Sequence, residues 1–251
     1  MKNQQHFGTY AYRTDIGRVR TNNEDQALVL LNERGEVMLL VCDGMGGANK
    51  GDLASKVAIE GIAKAFREKK KSLFRRQDSW WASKVIKEIN AKIFEMSERN
   101  PLYKGMGTTL VMVLLSGAYL MVVNLGDSRA YLDDGKALRQ ITEDQTYVRY
   151  LVSTGQITEE EALSHPDRHI LMNALGIYPS VSLSFSFIEY HGESILLCTD
   201  GLYNQIPPET IHTIISTNER ADQKVMSLIT TANAAGGSDN EGVAYWETLK
   251  E

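Results

Sequence analysis

The chain has 251 residues, of which 24% are charged, and 32 Asp and Glu outweigh 27 Lys and Arg for a net charge of −5. That length can bury a full apolar core without disulfides or structural metal, and the composition excludes intrinsic disorder as the main state. The acidic balance argues against a general nucleic-acid binder, and two cysteines, both in apolar runs, do not make a disulfide framework.

The first residues are polar and lack the apolar centre of a signal peptide. Short β-type runs follow at 7–13, 27–31 and 37–42, the last two joined by the turn signal Glu33-Arg34-Gly35. Apolar residues at Leu53, Val57, Ala58, Ile62, Ala65 and Phe66 then form one stripe of a helix over 53–66. Lys69, Lys70 and Lys71 lie at its C-terminal end, where they favour the helix dipole as a solvated basic run. A second helix is predicted over 79–96, with Asp78 or Ser79 as its cap and Pro101 just past its end.

Strand patterns return at 108–115, 118–125, 128–132 and 137–141, with turns at Ser116-Gly117 and Asp133-Asp134-Gly135. The longest apolar stretch, 110–125, is interrupted by Ser116-Gly117 and is shorter than the ~20 residues that span a bilayer. The segment 144–176 is polar, contains the capping-box pattern Thr158-Glu159-Glu160-Glu161 and reads as a helical excursion over a site. Strands at 181–188 and 194–199 and helices at 209–216 and 223–233 complete the pattern. No linker or repeat divides the chain, so one domain over 1–251 is expected. Short hairpin connections with an early and a late helix pair predict an α+β fold: a four-layer α/β/β/α sandwich, two antiparallel sheets flanked by helix pairs.

Three aspartates sit where an apolar strand ends: Asp43 after Leu39-Leu40-Val41-Cys42, Asp127 after Met121 to Gly126, and Asp200 after Ile195 to Thr199. A fourth, Asp239, follows Gly236-Gly237-Ser238. Any one Asp-Gly is ordinarily a tight turn. Together, strand ends in a sheet lie side by side, and clustered carboxylates repel unless cations or protons neutralise them. Oxygen-only donors suit magnesium or manganese; Cys42 and Cys198 lack the spacing of a zinc site and read as small core residues. Upstream, Arg20 beside Glu24 and Asp25 reads either as a polar loop or as an anion-binding fork next to two further acids. No Cys-x5-Arg, P-loop, kinase glycine loop or Gly-x-Ser-x-Gly elbow is present, which leaves metal-activated water attacking a phosphate ester.

Arg20…Glu24-Asp25, Asp43-Gly44-Met45-Gly46-Gly47, Gly107-Thr108-Thr109, Gly126-Asp127-Ser128-Arg129, Thr199-Asp200-Gly201 and Gly237-Ser238-Asp239-Asn240 resemble, in order, the motifs of the metal-dependent type 2C serine/threonine protein phosphatases, in their bacterial form. The resemblance implies two manganese or magnesium ions, with a third, weaker ion in bacterial members. It makes Asp43 the bridge, with Asp200, Asp239, the Gly44 carbonyl and a water-mediated Glu24 as metal ligands, and Asp127 with Asp200 at the third position. Arg20 would grip the substrate phosphate, Asp25 and Asn240 would orient metal waters, and 144–176 would be the mobile flap. Gln145-Thr146 stand where many relatives have His-Ser, and Gly242 stands where relatives carry Thr. Met45 occupies a place where many eukaryotic relatives carry His, so a proton donor is missing there.

The implied activity is hydrolysis of phosphoserine and phosphothreonine in proteins. The alternatives are an inactive regulator with this fold or a metal phosphoesterase for a small molecule. Expected partners are phosphoproteins and a cognate Ser/Thr kinase with its substrates, with no nucleic acid and no membrane. A monomer in the cytoplasm is expected.

Overall fold

The computed structural model describes residues 6–46 and 50–249; Gly47 of the glycine motif and the polar residues 1–5 lie outside them. The strands are β1 (Gly8–Asp15), β2 (Asp25–Leu31), β3 (Val37–Met45), β4 (Gly107–Thr108), β5 (Leu110–Ser116), β6 (Tyr119–Leu125), β7 (Arg129–Asp133), β8 (Leu138–Gln140), β9 (Ser186–Glu189), β10 (Ser194–Cys198) and β11 (Glu241–Thr248). The helices are α1 (Gly51–Arg67), α2 (Arg75–Arg99), α3 (Tyr147–Ser153), α4 (Glu159–Ser164), α5 (Asp200–Tyr203), α6 (Pro208–Ile215) and α7 (Ala221–Ala235). One sheet has the order β1-β11-β10-β7-β8 and the other β2-β3-β5-β6-β9, with β4 attached to β3. All strand pairings are antiparallel.

The predicted four layers are present, and side-chain alternation along the strands builds them. Val37, Leu39 and Val41 of β3 face the opposite sheet, where they meet Ile195, Leu197, Ala244 and Trp246. Met38, Leu40 and Cys42 point the other way, onto Ile62 and Phe66 of α1 and Ile86 and Ile93 of α2. On the far side, Leu196, Cys198, Val243 and Tyr245 pack against Val225 and Leu228 of α7 and Ile211 of α6. Strands covered on both faces therefore read as continuous apolar runs, and each fully buried large side chain contributes ~1.5–3 kcal/mol. Both cysteines are free and buried in these layers.

Four expectations are corrected. Helix α2 starts at Arg75, before Ser79, because Gln77 Oε1 accepts the Leu73 and Phe74 N–H groups at 2.6 and 3.2 Å and caps the end earlier. Asp78 is no cap: it is buried inside the helical layer and holds Lys69 at 2.7 Å. Lys69 is accordingly not a solvated charge; it is 2% exposed and is also 2.7 Å from Glu36. Of the strand expected over 181–188, only the part from Ser186 pairs, since β6 offers partners only over Tyr119 to Val122. Val181, Leu183 and Phe185 satisfy their apolar alternation by packing on the α1–α2 core. The chain after Asn240 runs as β11, the strand between β1 and β10.

Candidate active site

Strand ends of both sheets deliver the acids to one end of the sandwich. Asp25 opens β2 and Asp43 lies near the end of β3, and the two are direct partners across the antiparallel register. Asp127 follows β6, Asp200 is the first residue of α5 just past β10, and Asp239 stands two residues before β11. Close approach explains two of the glycines. A Cβ on Gly44 would lie 2.2 Å from the Gly51 carbonyl oxygen, so α1 can begin against the end of β3 only without one. A Cβ on Gly201 would lie 1.9 Å from the Asn240 carbonyl oxygen, which fixes how closely the Asp200 and Asp239 segments abut.

Hydrogen bonds hold these segments. The Asp43 N–H donates to Thr109 Oγ1 at 2.9 Å, while the Thr109 N–H and Thr108 Oγ1 donate to the Asp43 carbonyl at 2.8 and 2.9 Å. Thr109 Oγ1 also shares a 2.8 Å hydrogen bond with Ser128 Oγ, beside Asp127. Thr199 Oγ1 donates to Asp25 Oδ2 at 2.7 Å and accepts the Gly242 N–H at 2.7 Å. Ser55 Oγ, on α1, donates to the Glu24 carbonyl at 2.6 Å. The Tyr203 hydroxyl donates to the Asp127 carbonyl at 3.0 Å, and the Arg129 guanidinium lies 3.6 Å over the Tyr203 ring while pairing with Asp144 at 2.7 Å. Asn240 spends its whole amide on the loop before β2. Nδ2 donates to the Ile16 and Asn22 carbonyls, each at 2.9 Å, and Oδ1 accepts the Glu24 N–H at 2.9 Å.

The electrostatics are those of crowded acids. The Asp43 carboxyl feels the charges of Asp25, its cross-strand partner, and of Asp200, Asp127 and Asp239. Burial raises Asp25 and Asp43 well above the usual carboxylate range, and the neighbouring acids push Asp43 further. Asp200 is raised by burial and by Asp239, with His169 of the flap and Arg20 partly opposing. Asp127 is pushed up to about 7 by burial, then by Asp200 and Asp144. Burial also raises Glu24, against the Gly51 N–H. The Arg20 Nη2 lies 2.7 Å from Asp239 Oδ2, with the arginine side chain 53% exposed.

The donor set is therefore hard carboxylate oxygen, mutually repelling, with an exposed arginine as partial counter-charge, and it fits divalent cations of the magnesium and manganese type. Among the described residues no three His, Cys, Asp or Glu side chains already form a closed ligand set, so the fit lies in donor chemistry and charge.

All the residues singled out in the sequence (Arg20, Glu24, Asp25, Asp43, Gly44, Asp127, Asp200, Asp239 and Asn240) meet in this one neighbourhood. Two stand differently from expectation: Arg20 is paired with Asp239, and Asn240 is turned wholly to backbone. Sequence reasoning quoted Thr108, Thr109, Ser128 and Thr199 as motif letters without a role; the structure makes them the braces of Asp43 and Asp25. Ser55 and Tyr203 carried no signal. Met45 ends β3, half-buried and opposite Gly107.

The 144–176 segment contains α3 and α4, and Thr158 and Glu161 form the expected capping box at 3.2 and 2.7 Å. Its two ends are joined to each other by the bridge of Thr146 to Leu171, and the bridge of Leu175 to Thr108 ties the later end to β4.

Comparison with known proteins points one way. Residues 17–236 match the protein phosphatase 2C family. Over 230 residues the chain is 37% identical to the serine/threonine phosphatase stp of Listeria monocytogenes, covering 91% of each chain. It is 34% identical over 232 residues to the protein phosphatase PhpP of Streptococcus pneumoniae, covering 92% of this chain and 94% of that one. The S. agalactiae serine/threonine phosphatase structure superposes with a TM-score of 0.90 at 31% identity, over 97% of this chain and all of that one. The catalytic domain of the phosphatase PstP, solved with two manganese ions, superposes with a TM-score of 0.83 at 33% identity, over 97% of this chain and 99% of that one.

Proposed function

The chain belongs to the protein phosphatase 2C family, and from that premise we propose how its own residues carry out metal-dependent hydrolysis of phosphoserine and phosphothreonine in proteins. The observation that carries the reading is the convergence of strand-end acids at one end of the sandwich, with Asp25 and Asp43 as cross-strand partners and with Asp43, Asp127, Asp200 and Asp239 acting on one another's charge, so that their negative charge demands cations.

Asp43, Asp200 and Asp239 would hold two divalent ions, with the Gly44 carbonyl and Glu24 completing the pair, and Asp127 with Asp200 would hold a third. Bound there, such ions act as Lewis acids on the phosphoryl oxygens and make water nucleophilic near neutral pH. Arg20 is suited to the substrate phosphate, because its ion pair with Asp239 is largely exposed and worth about 1 kcal/mol or less, so a phosphate dianion can displace it. Asp25, held by Thr199, would accept hydrogen bonds from water in the cluster. Asn240 acts as a positioning residue, since its amide fixes the loop that carries Glu24. The flap carries the exposed His169, whose charge acts on Asp200, and would cover the substrate.

The likeness to PstP with two manganese ions supports manganese as the metal for assay. On the family resemblance we extend the reading to a single phosphatase domain that works as a monomer in the cytoplasm, opposite a Ser/Thr kinase sharing its phosphoprotein substrates. Phosphate release from phosphoserine and phosphothreonine peptides with manganese, with and without chelator, tests the function. The expected result is release that the chelator abolishes and that exceeds release from nucleotides and sugar phosphates. Turnover confined to those small molecules would favour the small-molecule phosphoesterase, and no turnover the inactive regulator.

A further inference from the structure

The turn between α1 and α2 displays apolar side chains that the fold could have hidden. Leu73, Phe74 and Trp80 are 67%, 68% and 68% exposed. Phe74 and Trp80, with Arg76 and Gln77, line one shallow and almost wholly apolar depression.

This display is held rigidly. On one side Lys69 turns inward onto Glu36 and Asp78, and on the other Gln77 Oε1 accepts the Leu73 and Phe74 N–H groups. The Ser72 hydroxyl is tied to Asp78 at 2.5 Å. The turn is thus pinned at its base and its apolar tip is pushed outward.

Charge surrounds the tip. Residues 67–76 carry six basic side chains and one acidic one in a chain of net charge −5, and of the six only Lys69 is buried. Arg67, Lys70, Arg75 and Arg76 are exposed, and the Arg75 guanidinium is stacked 4.8 Å over the Tyr119 ring, which holds it beside the tip. Apolar and aromatic tips flanked by cations are the pattern of an interfacial membrane contact: the tips enter the headgroup boundary and the cations stay with anionic headgroups.

We propose that this turn docks the protein on an anionic bilayer surface. No helix of the described residues is long and apolar enough to cross a membrane, so the contact is peripheral, and it revises the expectation of no membrane partner only in that sense. The orientation suits the activity. Helix α1, 17 residues and so about 25 Å long, begins at Gly51 against Gly44 of the active site and ends at the basic turn. A docked molecule therefore turns its acidic cluster away from the lipid, toward substrates near the surface.

The test is co-sedimentation of the intact protein with vesicles of phosphatidylglycerol and phosphatidylcholine in equal parts, against pure phosphatidylcholine. Binding is expected to the anionic vesicles alone and to be reversed by high salt. It should weaken roughly tenfold in Phe74→Ser/Trp80→Ser and more in Lys70→Glu/Arg75→Glu/Arg76→Glu. Tryptophan emission should shift to the blue on binding, and Trp80→Ser should remove that shift. Hydrolysis of p-nitrophenyl phosphate should be unchanged in both variants, which separates this proposal from the phosphatase reading. Equal binding to neutral vesicles, equal binding by the variants, or binding to polyglutamate without binding to vesicles would overturn it, the last in favour of an acidic protein partner.

Discussion

Thr199 Oγ1 donates to Asp25 Oδ2 at 2.7 Å, which ties the end of β10 in one sheet to the start of β2 in the other. The same hydroxyl accepts the Gly242 N–H, so one side chain closes the sandwich at the acidic end. Thr199→Val keeps the shape but leaves a buried acid and a buried N–H without this partner. It should cost about 1–3 kcal/mol in urea titrations and lower phosphopeptide turnover. Thr199→Ser should recover most of both, and equal loss in the two variants would show that packing of the methyl group, not the hydrogen bond, is what matters.

Charge crowding gives the second prediction. Asp43→Asn, Asp200→Asn and Asp239→Asn should each abolish metal-dependent phosphate release. In chelator, the melting temperatures of Asp43→Asn and Asp200→Asn should match or exceed that of the native protein, because a repelling charge is gone. Added manganese should raise the melting temperature of the native protein and raise it far less in the variants. Near-normal turnover of Asp200→Asn at saturating manganese would contradict the assignment.

Asp127 separates from that set through pH. Its carboxyl is pushed up to about 7, so between the usual carboxylate range and about 7 the native state holds a proton that the unfolded chain has released. Stability of the metal-free protein should therefore fall as pH rises through that window, and Asp127→Asn should remove this part of the slope. A cation at this carboxylate must displace the same proton, so the weakest metal binding should strengthen from pH 6 to pH 8. Calorimetry should show Asp127→Asn still filling the two tight sites while turnover drops. Loss of the tight sites would merge Asp127 with the core.

The layers and most of the site were legible because they rest on local rules. Alternation in β3 and β10 and the stripe of α1 give the layers, and apolar runs ending in Asp43, Asp127 and Asp200 give the site. What was hidden depended on partners far away in sequence. Nothing local to Lys69 announces Glu36 and Asp78, and a run of three lysines ordinarily faces water. The resemblance turned Asn240 toward metal waters, and nothing in the sequence announces that its amide meets the Ile16 and Asn22 carbonyls. Thr199 had no role until β2 lay beside it.

The Lys69 cluster makes a stability prediction independent of catalysis. Lys69 Nζ lies 2.7 Å from both Glu36 and Asp78, and Asp78 also accepts from the Tyr119 hydroxyl. Lys69→Met strands two buried acids and should cost about 3–5 kcal/mol in chemical denaturation. Adding Glu36→Gln and Asp78→Asn should restore much of the loss, since the uncompensated charges are then gone. An unperturbed single variant would show that the acids simply take up protons.

Met45 sets the last expectation. It ends β3 beside Asp43 and Gly44, where a thioether cannot donate a proton to a departing alkoxide. A general acid contributes ~10²–10⁴-fold, most for poor leaving groups, and a serine alkoxide is far poorer than a nitrophenolate. Rates across aryl phosphates should therefore depend steeply on leaving-group pKa in the native protein. Met45→His should flatten that dependence by supplying an imidazole at the end of the strand. The flap offers two rival donors, His165 and His169, of which His169 acts on the charge of Asp200. A shallow dependence in the native protein that turns steep in His169→Ala would move the proton to the flap and overturn the assignment to Met45. A dependence that is steep in both and flattened only by Met45→His would confirm that this chain leaves its alkoxide to depart without a side-chain acid.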